Sequence, residues 1–316
     1  MQRLLSKRAV VCYAITAAAA LAAVILYTLF GYDETMFQNK NPYRINEQTD
    51  LSFLQDGVEY RYNENIINIL LLGIDKTETR GANYIVENGY QADVIFLLSV
   101  DTKTGDVALI NIPRDTLTEI MHFDRNGDFS RIETGPICTA HSFGDGGLKS
   151  GQLMEAAVSN LMYGIPIDRY IAMDIDGISK LTDVVGGVEV ELLEDFTVLD
   201  PGMTKGTLYT LNGEQAEHYV RSRQLPGMSG EDAKRIPRQV QFIEAFVRKV
   251  AEMSQTDKGF FIKLLEIVGS HTTTDMTDRE LRYVGYTFFQ KVSIISTSQR
   301  SSARQQIMDL KRTTLR

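Results

Sequence analysis

Three short apolar runs, each ending in charged residues, constrain this chain more than any other feature: Ile66 to Asp75, Asp93 to Asp101 and Asp106 to Arg114. Runs of this length, rich in Val, Ile and Leu and stopped by Gly, Pro or Asp, predict buried strands. The second and third are joined by Thr102-Lys-Thr-Gly105, which predicts a hairpin. A hairpin returns the end of its second strand to the edge where its first began, so Asp93 and Arg114 become neighbours. If the strand ending at Asp75 runs antiparallel beside the one starting at Asp93, Asp75 joins that edge. Two carboxylates and a guanidinium then share one rim.

Beyond the hairpin, helical and strand patterns alternate. A helical pattern runs from about Lys149 to Tyr163, a strand from Tyr170 to Asp174, a helix from about Ile178 to Val185, and a strand from Val188 to Leu192. Asn212 can cap a helix through Tyr219, with Glu214 and Glu217 near its positive end. The alternation places the chain in the α/β class.

Arginines crowd the next stretch, Tyr219-Val-Arg-Ser-Arg223 and then Asp232-Ala-Lys-Arg-Ile-Pro-Arg-Gln239. If Asp232 begins a helix reaching about Glu252, Arg235, Arg238 and Gln239 share a face, because positions three and four apart are neighbours. Pro237 leaves the start of that helix open. Clustered guanidinium forks match phosphate oxygens, so Arg221, Arg223, Arg235, Arg238 and Gln239 form a candidate anion clamp. The alternative is a solvated basic face paired with Glu231, Asp232 and Glu244.

The uncharged run from Ala9 to Phe30 has the length of a bilayer span. Arg3, Lys7 and Arg8 precede it and Asp33 and Glu34 follow, which predicts a single-pass signal anchor in the cell membrane with its N-terminus cytoplasmic. After Phe30 there remain 30 basic and 41 acidic residues, a formal charge of −11. An outer domain so acidic is no general polyanion surface, which argues against nucleic acid and leaves anions to a local cluster. Cys12 lies in the span and Cys138 is alone outside it, excluding an intrachain disulfide and a cysteine metal site. The chain divides into residues 1–8 as a cytoplasmic tail, 9–30 as the anchor, 31–63 as a linker or small edge subdomain, 64–290 as an outer domain, and 291–316 as a polar, basic tail.

Asp75 and Asp93 are hard oxygen donors at strand ends, suited to a magnesium ion that takes one or two carboxylates plus substrate phosphates. They are equally suited to be turn or capping aspartates. Asp124-Arg-Asn-Gly-Asp128 resembles the start of a calcium loop, but Phe129 stands at the invariant glycine position and Gly135 at that of the bidentate glutamate. Among the histidines only His141 falls in a glycine-rich loop, where it fits a site or a structural tie equally well. Walker, serine-hydrolase elbow and zinc-protease motifs are absent from the sequence.

Taken in order, the anchor, Asn68-Ile-Leu-Leu-Leu-Gly-Ile-Asp75, Ala92-Asp-Val-Ile95, Ile112-Pro-Arg-Asp-Thr116, Ala140-His-Ser-Phe-Gly144, Val184-Val-Gly-Gly-Val188, Leu211-Asn-Gly-Glu-Gln-Ala216 and the arginine block resemble the LytR-CpsA-Psr family. The resemblance covers about residues 64 to 275. It implies a mixed central sheet flanked by helices and a deep apolar pocket for a prenyl tail. It also implies a magnesium-dependent enzyme that moves an anionic glycopolymer from a polyprenyl-pyrophosphate carrier to peptidoglycan. Matched by motif, Asp75 and Asp93 take the magnesium and acid/base roles, with Asp93 and Arg114 catalytic. Arg114, Arg221, Arg223, Arg235, Arg238 and Gln239 take the pyrophosphate. A non-catalytic binder of polyprenyl phosphate would need the arginines and the pocket but not the carboxylates. Three positions depart from the family pattern: Gln91-Ala92 replaces a common Arg-Ser, Gly135-Pro136 replaces a frequent lysine, and the tail from Ser296 to Arg316 is polar and basic rather than apolar.

Overall fold

The computed structural model describes residues 37, 41–43, 52–55, 58–74, 90–104, 106–124, 126–222, 232–256 and 260–291. The 9–30 run, Asp75, Arg223 and residues 292–316 lie outside the described residues. Among those described, no helix is long and apolar enough to cross a membrane.

The predicted strands are present: β3 (Ile66–Ile74), β4 (Ala92–Asp101) and β5 (Val107–Asn111) lie side by side, preceded by a small hairpin of β1 (Ser52–Gln55) and β2 (Val58–Arg61). That first hairpin falls in the segment read as a linker or edge subdomain. A two-stranded ribbon follows, β6 (Leu117–Phe123) and β7 (Phe129–Pro136), then a 3-10 helix over Ile137–Phe143 and α1 (Leu148–Leu161). Next come β8 (Arg169–Asp174), α2 (Ile175–Val184), the paired β9 (Val188–Glu191) and β10 (Leu208–Leu211), and α3 (Gly213–Arg221). The last described elements are α4 (Asp232–Thr256), α5 (Phe260–His271), β11 (Thr272–Thr274) and α6 (Asp278–Lys291). The helix expected near Ile178 starts earlier, at Ile175, directly after β8.

Among the described residues, the central sheet has five strands in the order β11-β8-β3-β4-β5, with β3 and β8 parallel and every other pair antiparallel. Side chains alternate between its faces. Leu70, Leu72, Ile95, Leu97 and Ile110 pack with Met154, Ala157 and Val158 of α1 on one face. Ile67, Ile69, Phe96, Leu98 and Val107 pack with Tyr283 and Val284 of α6, and with Val240 and Ile243 of α4, on the other. Burial on both faces explains why these strands read as continuous apolar runs. The result is an α/β/α sandwich with a mixed sheet. A third core joins α2, α3, α4 and α5 to the β9–β10 hairpin around Leu181, Val190, Ala216, Tyr219, Phe242 and Leu264.

Several polar groups inside this framework are tied by hydrogen bonds. Asn68 is buried in β3, where its amide donates to the Pro166 carbonyl (2.8 Å) and its oxygen accepts from Ser99 Oγ (2.7 Å). The turn between β6 and β7 is built by Asp124, whose Oδ1 accepts from the N–H groups of Asn126 (2.9 Å) and Asp128 (3.0 Å). The calcium-like stretch is thus an Asx-type turn. Glu155 of α1 is buried, and its Oε2 accepts from Asn41 Nδ2 at 2.7 Å.

Burial pushes the Glu155 carboxyl up from its ordinary 4.5 to about 9, with Asp275 adding to the effect and Asn41 and Arg169 opposing it. The folded chain therefore holds a proton there that the unfolded chain releases. That contribution to stability is complete below about pH 4.5 and is lost as pH rises towards about 9. Thermal unfolding of the parent is expected to occur at lower temperature near pH 9 than near pH 5, and Glu155→Gln, which keeps an acceptor for Asn41 but cannot ionise, flattens that dependence.

Candidate active site

Two of the three residues expected at the rim, Asp93 and Arg114, meet there, and a bulge places Asp93; Asp75 lies outside the described residues. Gly73 of β3 pairs with Val94 and Ile74 pairs with Ala92, so Asp93 is an extra residue with no partner across the ladder. Bulges of this kind bend a strand and re-aim a side chain. Gly73 permits the close approach: a Cβ built there would lie 2.9 Å from the Val94 Cβ, nearer than real Cβ contacts come. A glycine inside a strand is the sequence signal for such a site.

Arg114, just past the end of β5, donates from Nη1 to Asp93 Oδ1. Its Nη2 donates to Gln91 Oε1 at 2.7 Å, and its Nε lies 3.6 Å from Asp115 Oδ1. The Arg114 and Asp93 side chains are only 11% and 15% exposed, whereas Asp115 is 71% exposed. The buried pair dominates and the Asp115 contact adds little.

The 3-10 helix braces this rim from behind. The Cys138 N–H donates to the Arg114 carbonyl at 3.1 Å, and Cys138 Sγ lies 3.9 Å from Gln91 Oε1. Burial pushes the Cys138 thiol up, partly offset by Arg114. His141 is buried with Nδ1 2.6 Å from the Tyr90 carbonyl. A carbonyl only accepts, so Nδ1 carries the proton, and His141 is a structural tie on the residue preceding Gln91.

The arginine block divides in two. As expected, α4 brings Arg235, Arg238 and Gln239 to one side, and all three are buried, with Pro237 one turn inside the helix. Arg238, only 2% exposed, donates from Nη1 to the Tyr219 carbonyl (2.6 Å) and from Nη2 to the Ser222 carbonyl (2.5 Å). Gln239 Nε2 donates to the Val220 carbonyl at 3.2 Å. The last carbonyls of a helix have no intrahelical partner, and here α4 supplies partners for three at the end of α3. The other end of α3 is closed by a capping box between Asn212 and Gln215.

The Arg238 guanidinium lies 5.3 Å from the Phe196 ring and 5.8 Å from the Tyr219 ring, with Nε 3.3 Å from Glu194 Oε2. A solvated basic face paired with Glu231, Asp232 and Glu244 is therefore the wrong description of Arg238. Its acidic partner, Glu194, comes from the loop after β9. Arg221 is the more accessible arginine, its side chain 37% exposed and 3.3 Å from Glu217 one turn back.

Of the residues singled out from sequence, the structure joins Asp93 to Arg114 and joins Arg238 and Gln239 to the end of α3. Arg221 sits at that same helix end. The two groups are linked through packing: Val94, beside Asp93, and Val240, beside Gln239, belong to one apolar cluster. Sequence reasoning missed Glu194 and Phe196 as partners of Arg238 and Cys138 as a brace. No local pattern marks any of the three.

This sheet, bulge and rim define a mixed α/β/α domain with a carboxylate–guanidinium site at one sheet edge. The chain belongs to the LytR_cpsA_psr family, whose model matches residues 26–311. It is 27% identical to the polyisoprenyl-teichoic acid–peptidoglycan teichoic acid transferase TagU of Halalkalibacterium halodurans over 85% of this chain and 81% of that one. The crystal structure of Bacillus subtilis TagV shares the fold, with a TM-score of 0.57 at 21% identity, covering 80% of this chain and 98% of that one. So does a structure of TagT bound to LI-WTA, with a TM-score of 0.56 at 16% identity, covering 88% and 97%.

Two substitutions test this geometry. Gly73→Ala forces a Cβ against Val94 and is expected to cost about 1–3 kcal/mol, as overpacking does. Val94→Ala in the same chain should restore most of the loss in a denaturant titration. Arg238→Ala leaves Glu194 and the α3 carbonyls without their partner in a buried setting, and a loss of about 3–5 kcal/mol is expected in the same titration.

Proposed function

We propose that this chain is a membrane-anchored phosphotransferase that moves an anionic glycopolymer, such as a teichoic acid or capsular polysaccharide, from a polyprenyl-pyrophosphate carrier to peptidoglycan. The observation that carries the reading is the Arg114–Asp93 pair at the bulged rim. Family membership and the TagU likeness support the same class of donor and acceptor. Phosphoryl transfer needs positioning and charge neutralisation more than covalent help, and a cationic fork beside a carboxylate supplies both.

In this mechanism an acceptor hydroxyl of peptidoglycan attacks the phosphorus nearer the polymer. A new P–O bond forms to the acceptor, the bridging P–O bond of the pyrophosphate breaks, and polyprenyl phosphate leaves. Asp93 accepts the hydroxyl proton. Arg114 neutralises charge growing on the phosphate oxygens, and Arg221, Arg223 and Arg235 complete the anion field. Arg238 and Gln239 were expected to touch the pyrophosphate. Their hydrogen bonds to the end of α3 support a different role, holding that helix end and thereby placing Arg221.

Magnesium is part of this proposal. The donor chemistry fits: Asp93 is a hard oxygen ligand at the rim, and a hard cation takes one or two carboxylates with the rest from phosphates and water. Asp75 would be the second carboxylate. Among the described residues, no cluster of three or more acidic, histidine or cysteine side chains could hold a metal by itself, so substrate phosphates would supply the remaining ligands. Bound there, the ion would offset phosphate charge.

The reading includes a single-pass location in the cell membrane, with the domain outside, where a lipid-linked donor is reached. The test uses the full chain in detergent with a polyprenyl-pyrophosphate-linked sugar, with and without magnesium and peptidoglycan. Asp93→Ala and Arg114→Ala are each expected to lower turnover by about 10²–10⁴, the range for a lost acid/base or charge-stabilising group. Tight lipid binding with no turnover in the parent would identify a binding protein instead.

A further inference from the structure

We propose that Gln91 is a positioning residue whose side-chain carbonyl sets the Arg114 fork and yields it to a phosphate oxygen when substrate arrives. The inference rests on the phosphotransferase reading for its kinetic consequences, but not for its structural one.

Arg114 offers its two terminal nitrogens to two different acceptors. Nη1 goes to Asp93 and Nη2 goes to Gln91 Oε1 at 2.7 Å. A single carboxylate contact would leave the guanidinium plane able to pivot, because one hydrogen bond fixes a point and two fix an orientation. Gln91 provides the second point. It is itself bracketed: Cys138 Sγ approaches its Oε1, the Cys138 N–H holds the Arg114 main chain, and His141 holds the Tyr90 carbonyl one residue earlier.

Neutrality at position 91 is the chemical point. The Arg114 and Asp93 side chains are largely enclosed, where charge interactions are stronger than in water. A carboxylate at 91 would pair with Arg114 in competition with an incoming phosphate and would repel Asp93. A cation, such as the arginine common at this position in the family pattern, could not accept from Arg114, so the arrangement is particular to this chain. An amide oxygen orients the fork yet is a weaker acceptor than a phosphate oxygen, which is charged. Of the two groups holding Arg114, Gln91 is therefore the one substrate displaces.

Two variants of the full chain in detergent test this. Gln91→Leu keeps the approximate size and removes the acceptor; Gln91→Glu keeps the acceptor and adds charge. In the ligand-free crystal structure of Gln91→Leu, grown from a lipid mesophase, Arg114 Nη2 is expected to leave its present position and the guanidinium plane to rotate. With the polyprenyl-pyrophosphate-linked sugar, Gln91→Leu should lower kcat about tenfold with KM within about twofold, since orientation is lost rather than charge. Gln91→Glu should raise KM about tenfold, as a carboxylate competing with phosphate for Arg114 would. A simple loss of folding would lower activity without splitting kcat from KM between the two variants. An unmoved Arg114 in the Gln91→Leu structure overturns the proposal, as do parent-like kcat and KM in both variants. A parent with no turnover defeats the phosphotransferase reading, and the position of Arg114 still decides what Gln91 does.

Discussion

The bulge between β3 and β4 is the constraint on which the rest of the site depends. Both strands are buried on two faces, so their register is fixed by packing against α1 on one side and α4 and α6 on the other. Within that rigid pair, Gly73 allows Val94 to come close, and the ladder accommodates one residue too many. That extra residue is Asp93. An aspartate on a regular ladder would direct its carboxylate into one of two apolar layers. Placed at the bulge and the strand end, it reaches the edge, where Arg114 meets it.

From this point the structure is a series of supports. Arg114 is held by Asp93 and Gln91 through its side chain and by Cys138 through its main chain. His141 steadies the entry to β4. Across the sheet, α4 packs through Val240 and Ile243 and turns its more N-terminal polar residues towards the end of α3. Burying Arg238 is tolerable only because carbonyls, Glu194 and two aromatic rings surround it. The domain thus uses Arg238 as scaffold at the end of α3.

Much of the framework was legible because the signals were local. The apolar runs, the short turn between β4 and β5 and the Asn212 cap each depend on residues close in sequence, and each appears where expected. The meeting of Asp93 and Arg114 was expected from hairpin geometry, without the bulge that places Asp93 at the edge. The β6–β7 ribbon escaped notice because β7 is largely exposed and has no buried face to impose an alternating pattern. The bulge had a sign in Gly73, but a glycine within a strand marks close approach without saying which residue is displaced. Of the candidate site, Asp75 and Arg223 lie outside the described residues.

By itself the sequence determined the α/β class, the central hairpin, the shared edge of Asp93 and Arg114, and the concentration of arginines between α3 and α4. Only the tertiary structure decided which arginines are scaffold, that Glu194 is the partner of Arg238, and that Gln91 and Asp93 divide the fork of Arg114. The physical reason is range. Strand period, turns and caps are set by neighbours a few residues apart, whereas a charged side chain is placed by whatever acceptors packing brings to it. For Arg238 those acceptors stand 16, 19 and 44 positions away, at Ser222, Tyr219 and Glu194.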